Sequence, residues 1–138
     1  MKTLTLPPAD FSSAACAGRF NVTADQLPVL AEAARAAGCC VRVIDLDGAR
    51  DKATLLQRFA TALDFPFWFG HNWDALDDCL TDLDWLPAGT AYVLCLTAPP
   101  DDLDACAILY EILDQAVDTW RTRGRAMWVL TGNDGTDA

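Results

Sequence analysis

From Phe59 to Trp120 this chain contains no lysine and no arginine. The same stretch holds Asp64, Asp74, Asp77, Asp78, Asp82, Asp84, Asp101, Asp102, Asp104, Glu111, Asp114 and Asp118, while the flanks carry all ten basic residues. This one-signed half belongs to a chain of formal net charge −10. It repels nucleic acid and anionic membrane and draws basic partners over long range. With no basic surface interleaved with aromatics, nucleic-acid binding is excluded as a function class.

Other absences narrow the field further. No uncharged apolar run approaches the roughly 18 residues that suggest a membrane span. The N-terminus, Met1 to Pro8, lacks the apolar core of a signal peptide, so the chain is expected in the cytoplasm. Six cysteines occur, at 16, 39, 40, 79, 95 and 106, without a Cys-x-x-Cys pair. They read as reduced thiols acting as small hydrophobes, and their spacing suits neither a disulfide framework nor a metal site. There is no glycine-rich phosphate loop, because Asp47-Gly48-Ala49 lacks the glycine spacing. There is also no internal repeat, low-complexity segment or linker, so 138 residues make one domain.

What is present alternates between strand-like and helix-like segments. Lys2 to Leu6 alternate polar and apolar residues, a short strand that Pro7-Pro8 would stop. Ala9 to Thr23 shows no period and reads as loop. Asp25 is placed to cap a helix running to Ala37, with Pro28 in its first turn and Gly38 closing it. Cys40 to Leu46 is a β-branched strand ending at Asp47-Gly48. Leu55, Leu56, Phe59, Ala62 and Leu63 recur at helical spacing and predict a helix from Asp51 to Leu63. Tyr92 to Leu96 is a second apolar strand, ended by Pro99-Pro100. A helical pattern from Leu103 to Arg121 places Leu109, Leu113, Ala116 and Trp120 on one face, and Gly124 follows. Ala126 to Leu130 is the last strand, and residues 132–138 are polar and expected to fray. Apolar strands joined through helices predict an α/β domain on a small parallel sheet with right-handed crossovers. The sheet has three strands, or four if the N-terminal strand joins an edge.

The most informative stretch runs from Trp68 to Asp82. Asn72 is the predicted N-cap of a helix reaching about Leu83, with Asp74 in the first turn, where the helix dipole favours a carboxylate. Trp73, Leu76 and Leu80 fall at i, i+3 and i+7, an inward stripe. Asp74, Asp78 and Asp82 fall at i, i+4 and i+8 on another face, with Asp77 beside them. Like charges at i, i+4 cost a helix roughly 0.2–0.5 kcal/mol per pair. No lysine offsets that cost here, which gives the expectation of a positively charged partner.

The residues Phe69-Gly70-x-Asn72-x-Asp74-Ala75-Leu76-x-Asp78-Cys79-Leu80-Thr81 resemble the central motif of the barstar family, intracellular inhibitors of secreted, barnase-like ribonucleases. The surrounding order is similar as well: a strand and helix before, then a strand, helix and final strand after. The resemblance covers residues 41–131 as a barstar-like domain. Residues 1–40 are left as an N-terminal extension, a short strand plus helix, packed on the same domain. The family resemblance implies an inhibitory surface built from the loop and the acidic helix. Carried over residue by residue, Asp74 and Asp78 match the helix aspartates that meet the enzyme's phosphate-binding Arg and Lys groups. Trp68 falls where the family has an exposed loop aromatic, and Gly70 where a loop glycine brings its backbone to the partner. The chain also departs from the pattern. Asp77 stands where the best-known member has a tryptophan and His71 where it has a glutamate, which makes both candidates for tuning partner choice. That member's last-helix glutamates correspond to positions near Thr119 and Arg123.

Physical chemistry supports the same expectation. A ribonuclease must hold a phosphodiester, so its cleft presents Arg, Lys and His, and rigid carboxylates offer acceptor oxygens resembling those of phosphate. The expected function is inhibition of a ribonuclease by occlusion, with Asp74, Asp78, Trp68, Gly70, His71 and Asp77 binding the partner. No catalytic residue, metal or cofactor is expected, and the free protein is expected as a monomer. His71 is the only histidine, and the nearest thiol, Cys79, faces inward on the same helix, wrong for a Cys–His pair. Three carboxylates on one helix diverge and do not wrap an ion. The plain alternatives are a solvated face for the acidic row and core cover for Trp73 and Phe69. The alternative function is an acidic interaction module that regulates a basic partner other than a nuclease.

Overall fold

The computed structural model describes residues 10–66, 70–87 and 89–133. The strand expected at Lys2 to Leu6, the loop aromatics Trp68 and Phe69, and tail residues 134–138 lie outside the described residues.

Among the described residues, four parallel strands form one sheet: β1 Arg19–Thr23, β2 Cys40–Asp45, β3 Tyr92–Thr97 and β4 Met127–Asn133, in the order β1-β4-β3-β2. The helices are α1 Gln26–Ala36, α2 Lys52–Ala62, α3 Trp73–Leu80 and α4 Asp104–Thr122. The fold is α/β, with β3 and β4 in the middle of the sheet and buried on both faces. That burial is why Tyr92 to Leu96 is apolar without alternation.

The two faces hold separate cores. On one face, α2, α3 and α4 cover Ile44, Leu94, Leu96, Met127 and Val129. On the other, α1 and the segment before β1 cover Ala91, Val93, Cys95, Trp128 and Leu130. Trp128 anchors the second face. Its ring stacks on Phe20 at 5.6 Å, meets Phe11 edge-on at 5.6 Å, and its Nε1 donates to the Phe11 carbonyl at 2.7 Å.

Four expectations need correction. The fourth strand is β1, inside the segment Ala9 to Thr23 that was expected as loop. Only Phe20 and Val22 alternate inward over its five residues, too few to stand out after the aperiodic Ser12 to Gly18. The cap of α1 is Thr23 rather than Asp25, whose side chain makes no capping bond. Thr23 Oγ1 accepts from the Gln26 amide and Gln26 Oε1 accepts from the Thr23 amide, both at 3.1 Å, a reciprocal capping box. Gly132 and Asn133 belong to β4 and are not part of a fraying tail, because the ladder with β1 continues to Thr23↔Asn133. A Cβ at Gly132 would meet Leu27 Cδ2 at 2.7 Å, so glycine lets α1 sit against the end of the strand. Finally, α3 stops at Leu80, short of the expected Leu83. Its end bears directly on the acidic row.

Candidate functional site

The acidic helix starts where the sequence places it. Asn72 is extended (φ −134°, ψ 170°) and its Oδ1 accepts from the Ala75 amide at 2.7 Å. The Asn72 amide group donates to the Gly70 carbonyl at 3.4 Å, tying the cap to the loop. A Cβ at residue 70 would come within 3.2 Å of that Asn72 amide nitrogen, so glycine leaves room for the cap. His71 lies in the left-handed region, φ 54°, which histidine tolerates better than most residues. Its Nε2 lies 3.2 Å from Gln57 Oε1 on α2. The turn into α3 is therefore held to the preceding helix.

The inward face is as expected from spacing. Leu76, Cys79 and Leu80 are fully buried. Trp73 is half-buried, packs on the same core, and carries the Lys52 ammonium 5.5 Å from its ring centroid. Burial first, and then the Asp78 and Asp82 carboxylates, push the Cys79 thiol up to about 11. At neutral pH it is a protonated filler of the core and cannot act as a thiolate nucleophile.

The outward face carries Asp74 and Asp78, both exposed, with Asp77 half-buried between them. Asp82 does not continue their row. Thr81 caps the helix, with its Oγ1 donating to the Asp77 carbonyl at 2.9 Å, and Leu83 turns left-handed at φ 53°. The expected three-carboxylate stack is thus a pair on α3 plus an acid in the following turn. The Asp77 carbonyl accepts from both the Thr81 amide, at 3.1 Å, and the Thr81 hydroxyl, so the side chain competes with the backbone where the helix ends.

Some carboxylates of the acidic half are paired within the chain, while others, Asp84, Asp102, Asp104 and Glu111 as well as this face, form no ion pair among the described residues. Asp64 pairs with Arg42 at 3.1 Å, Asp114 with Arg19 at 3.0 Å, and Asp118 with Arg121. Asp101 accepts from the Tyr110 hydroxyl at 2.6 Å. Among the described residues, no basic side chain pairs with Asp74, Asp77, Asp78 or Asp82. The same residues contain no cluster of His, Cys, Asp or Glu arranged to hold a metal ion, and no helix long and apolar enough to cross a membrane. Gly70, His71, Asp74, Asp77 and Asp78 therefore share one continuous loop-and-helix segment; Trp68 lies outside the described residues.

Two contributors, one on α4 and one at its C-cap, were not legible in the sequence. Trp120 Nε1 donates to the Leu80 carbonyl at 2.8 Å, and Arg123 Nη1 donates to the Thr81 carbonyl. They lie 40 and 42 positions from their acceptors, and no local pattern marks such a pairing.

A family model described as Barstar (barnase inhibitor) matches residues 40–132, from the first residue of β2 into β4. Strand β1 and helix α1 lie outside the match. Comparison with curated protein sequences gave no match.

Proposed function

Because the chain belongs to the barstar family, we propose that it inhibits a ribonuclease, with α3 and the loop before it as the docking surface. The surface comprises Asp74, Asp78, Asp77, His71, Gly70 and Trp68. The observation that carries this reading is that the α3 carboxylates, on a capped helix inside the matched region, meet no cation of the chain among the described residues. Elsewhere in the acidic half Asp64, Asp114 and Asp118 are met by arginines of the chain itself, while Asp74 and Asp78 are left for a partner's cations.

The chemistry follows from the target. A ribonuclease site binds a phosphodiester through Arg, Lys and His donors in a cleft. Two aspartates one helical turn apart present acceptor oxygens to those donors. The Asn72 cap and the buried Leu76, Cys79 and Leu80 hold them in place before binding, so little ordering entropy remains to be lost. The unopposed negative field accelerates encounter with a basic cleft. Occupied in this way, the cleft has no room for RNA.

An active-site nucleotide provides the test. A guanosine 3′-monophosphate titration into the complex with a barnase-type ribonuclease should weaken association in proportion to nucleotide occupancy. Association unaffected by saturating nucleotide would mean that the partner is held outside its active site. A basic partner without nuclease activity remains the second reading, favoured by His71 and Asp77, which depart from the family pattern at the surface itself. Co-elution with such a partner, without inhibition of any ribonuclease encoded in the same genome, would select it.

A further inference from the structure

Helix α3 has only eight residues, too few to be stable alone, yet it must hold two carboxylates in register. Its N-terminus is fixed by Asn72. At its C-terminus the carbonyls of Leu80 and Thr81 lie beyond the last intrahelical donors and need other partners. Both are met from α4 and its C-cap. Trp120 reaches Leu80 with its indole N–H, and Arg123 reaches Thr81 with its guanidinium. The two donors brace each other, with the guanidinium carbon of Arg123 lying 4.7 Å from the Trp120 ring centroid. Trp120 is itself buried against Tyr92 of β3, ring centroids 5.0 Å apart. A chain of contacts thus runs from the central sheet to the free end of the acidic helix.

Neighbouring arginines do comparable work. Arg121 donates to the carbonyls of Ala14 and Ala17 at 3.1 and 2.8 Å, and Arg125 to the Gly89 carbonyl at 3.2 Å. The arginines at and just after the end of α4 bind backbone carbonyls of three separate segments, and the Arg123 contact is the one that reaches the candidate site. A cation at a helix C-terminus also meets the negative end of the helix dipole.

We infer that Arg123 is a positioning residue for the docking surface: by clamping the Thr81 carbonyl onto Trp120 it fixes the orientation in which α3 presents Asp74 and Asp78. The inference rests on the proposed reading of α3 as the docking face. Charge alone predicts the opposite sign for its removal. Deleting a cation beside an acidic surface strengthens attraction to a basic partner, so weaker binding on deletion isolates the positional role.

Arg123→Ala and Arg123→Lys are compared with the unaltered protein by amide hydrogen exchange and by inhibition of a barnase-type ribonuclease. In the Ala variant, exchange at α3 amides should rise roughly tenfold, the scale expected for losing one charge-assisted bond at a locally opening helix, while β3 and β4 amides keep their rates. The inhibition constant should rise by about the same factor, through faster dissociation. The Lys variant, which can still donate to Thr81, should recover most of both effects. Unchanged α3 exchange overturns the inference, and so does a uniform rise across α3, β3 and β4, which would mark a general stability effect. Faster α3 exchange with unchanged or tighter inhibition would show that Arg123 does not position the docking face. If the unaltered protein inhibits no ribonuclease, the proposed function falls, and the exchange rates still decide whether Arg123 holds α3.

Discussion

Trp128 Nε1 donates to the Phe11 carbonyl at 2.7 Å, joining the last strand of the family-matched region to a segment that precedes the match. With Phe20 also stacked on the ring, this contact closes the sheet face opposite α3. Removing residues 1–39 would uncover Val93, Cys95, Trp128 and Leu130 together. Apolar area of that kind drives association. The truncated protein is expected to self-associate on size-exclusion chromatography and to bind a hydrophobic dye. A truncated monomer that melts at the temperature of the full chain would show that β1 and α1 are dispensable.

The Asn72 cap links stability to function. Asn72→Ala removes the acceptor for the Ala75 amide and should cost about 1 kcal/mol in denaturant unfolding. Because the loss falls at the start of α3, partner affinity should fall as well, with the slope of the unfolding transition unchanged. Equal affinity for the two proteins would uncouple the cap from the docking surface.

Within the acidic surface, position should decide the energetic contribution. Asp78 lies on α3 and Asp82 in the turn after it. Asp78→Ala should weaken binding by roughly thirtyfold or more, as central contacts do, and Asp82→Ala by only a few fold. Raising salt should weaken the unaltered complex, because screening reduces attraction between exposed charges. Matching losses at the two positions, or a salt-independent complex, would argue against the assigned centre.

The buried thiols make a separate prediction about pH. Burial raises Cys79 and Cys95 to about 11 from the ordinary 9.0. Their raised folded-state values mean that the protonated thiols stabilise the fold fully below about pH 9, and that this contribution is lost as pH rises through about 11. The denaturation midpoint should therefore fall across that window, and Cys79→Ala should lessen the fall. At neutral pH the exposed Cys16 should react quickly with a thiol reagent, and Cys79 and Cys95 only as the protein unfolds. Rapid labelling of Cys79 in the native state would show that the α3 core is open.

Much of this was legible from the chain because the signals are local. The Asn72 cap, the Leu76 and Leu80 stripe, and the apolar runs of β2, β3 and β4 each follow from residues within a few positions of one another. What escaped reading depends on distant partners. Strand β1 has two inward residues, and only the neighbouring β4 makes it a strand. Thr23 outcompetes Asp25 as a cap because Gln26 returns its bond, a reciprocity that a single capping residue does not display. The early end of α3 coincides with Thr81 bonding back to Asp77 and with donors on α4 and at its C-cap. In the candidate site, the acidic face was visible as spacing. Its lack of cationic partners became visible only when the arginines were placed beside Asp64, Asp114 and Asp118.

The central claim is that Asp74 and Asp78 occupy a ribonuclease active site. Its most direct test is an RNA-cleavage titration of a barnase-type enzyme, or of a ribonuclease encoded in the same genome, with the unaltered protein and with the Asp74→Asn, Asp78→Asn double variant. Inhibition by the unaltered protein should saturate at one molecule per enzyme. The double variant, with the same shape and two charges fewer, should need at least about a hundredfold more protein for the same effect. Equal inhibition by both proteins, or none by either, would contradict the account.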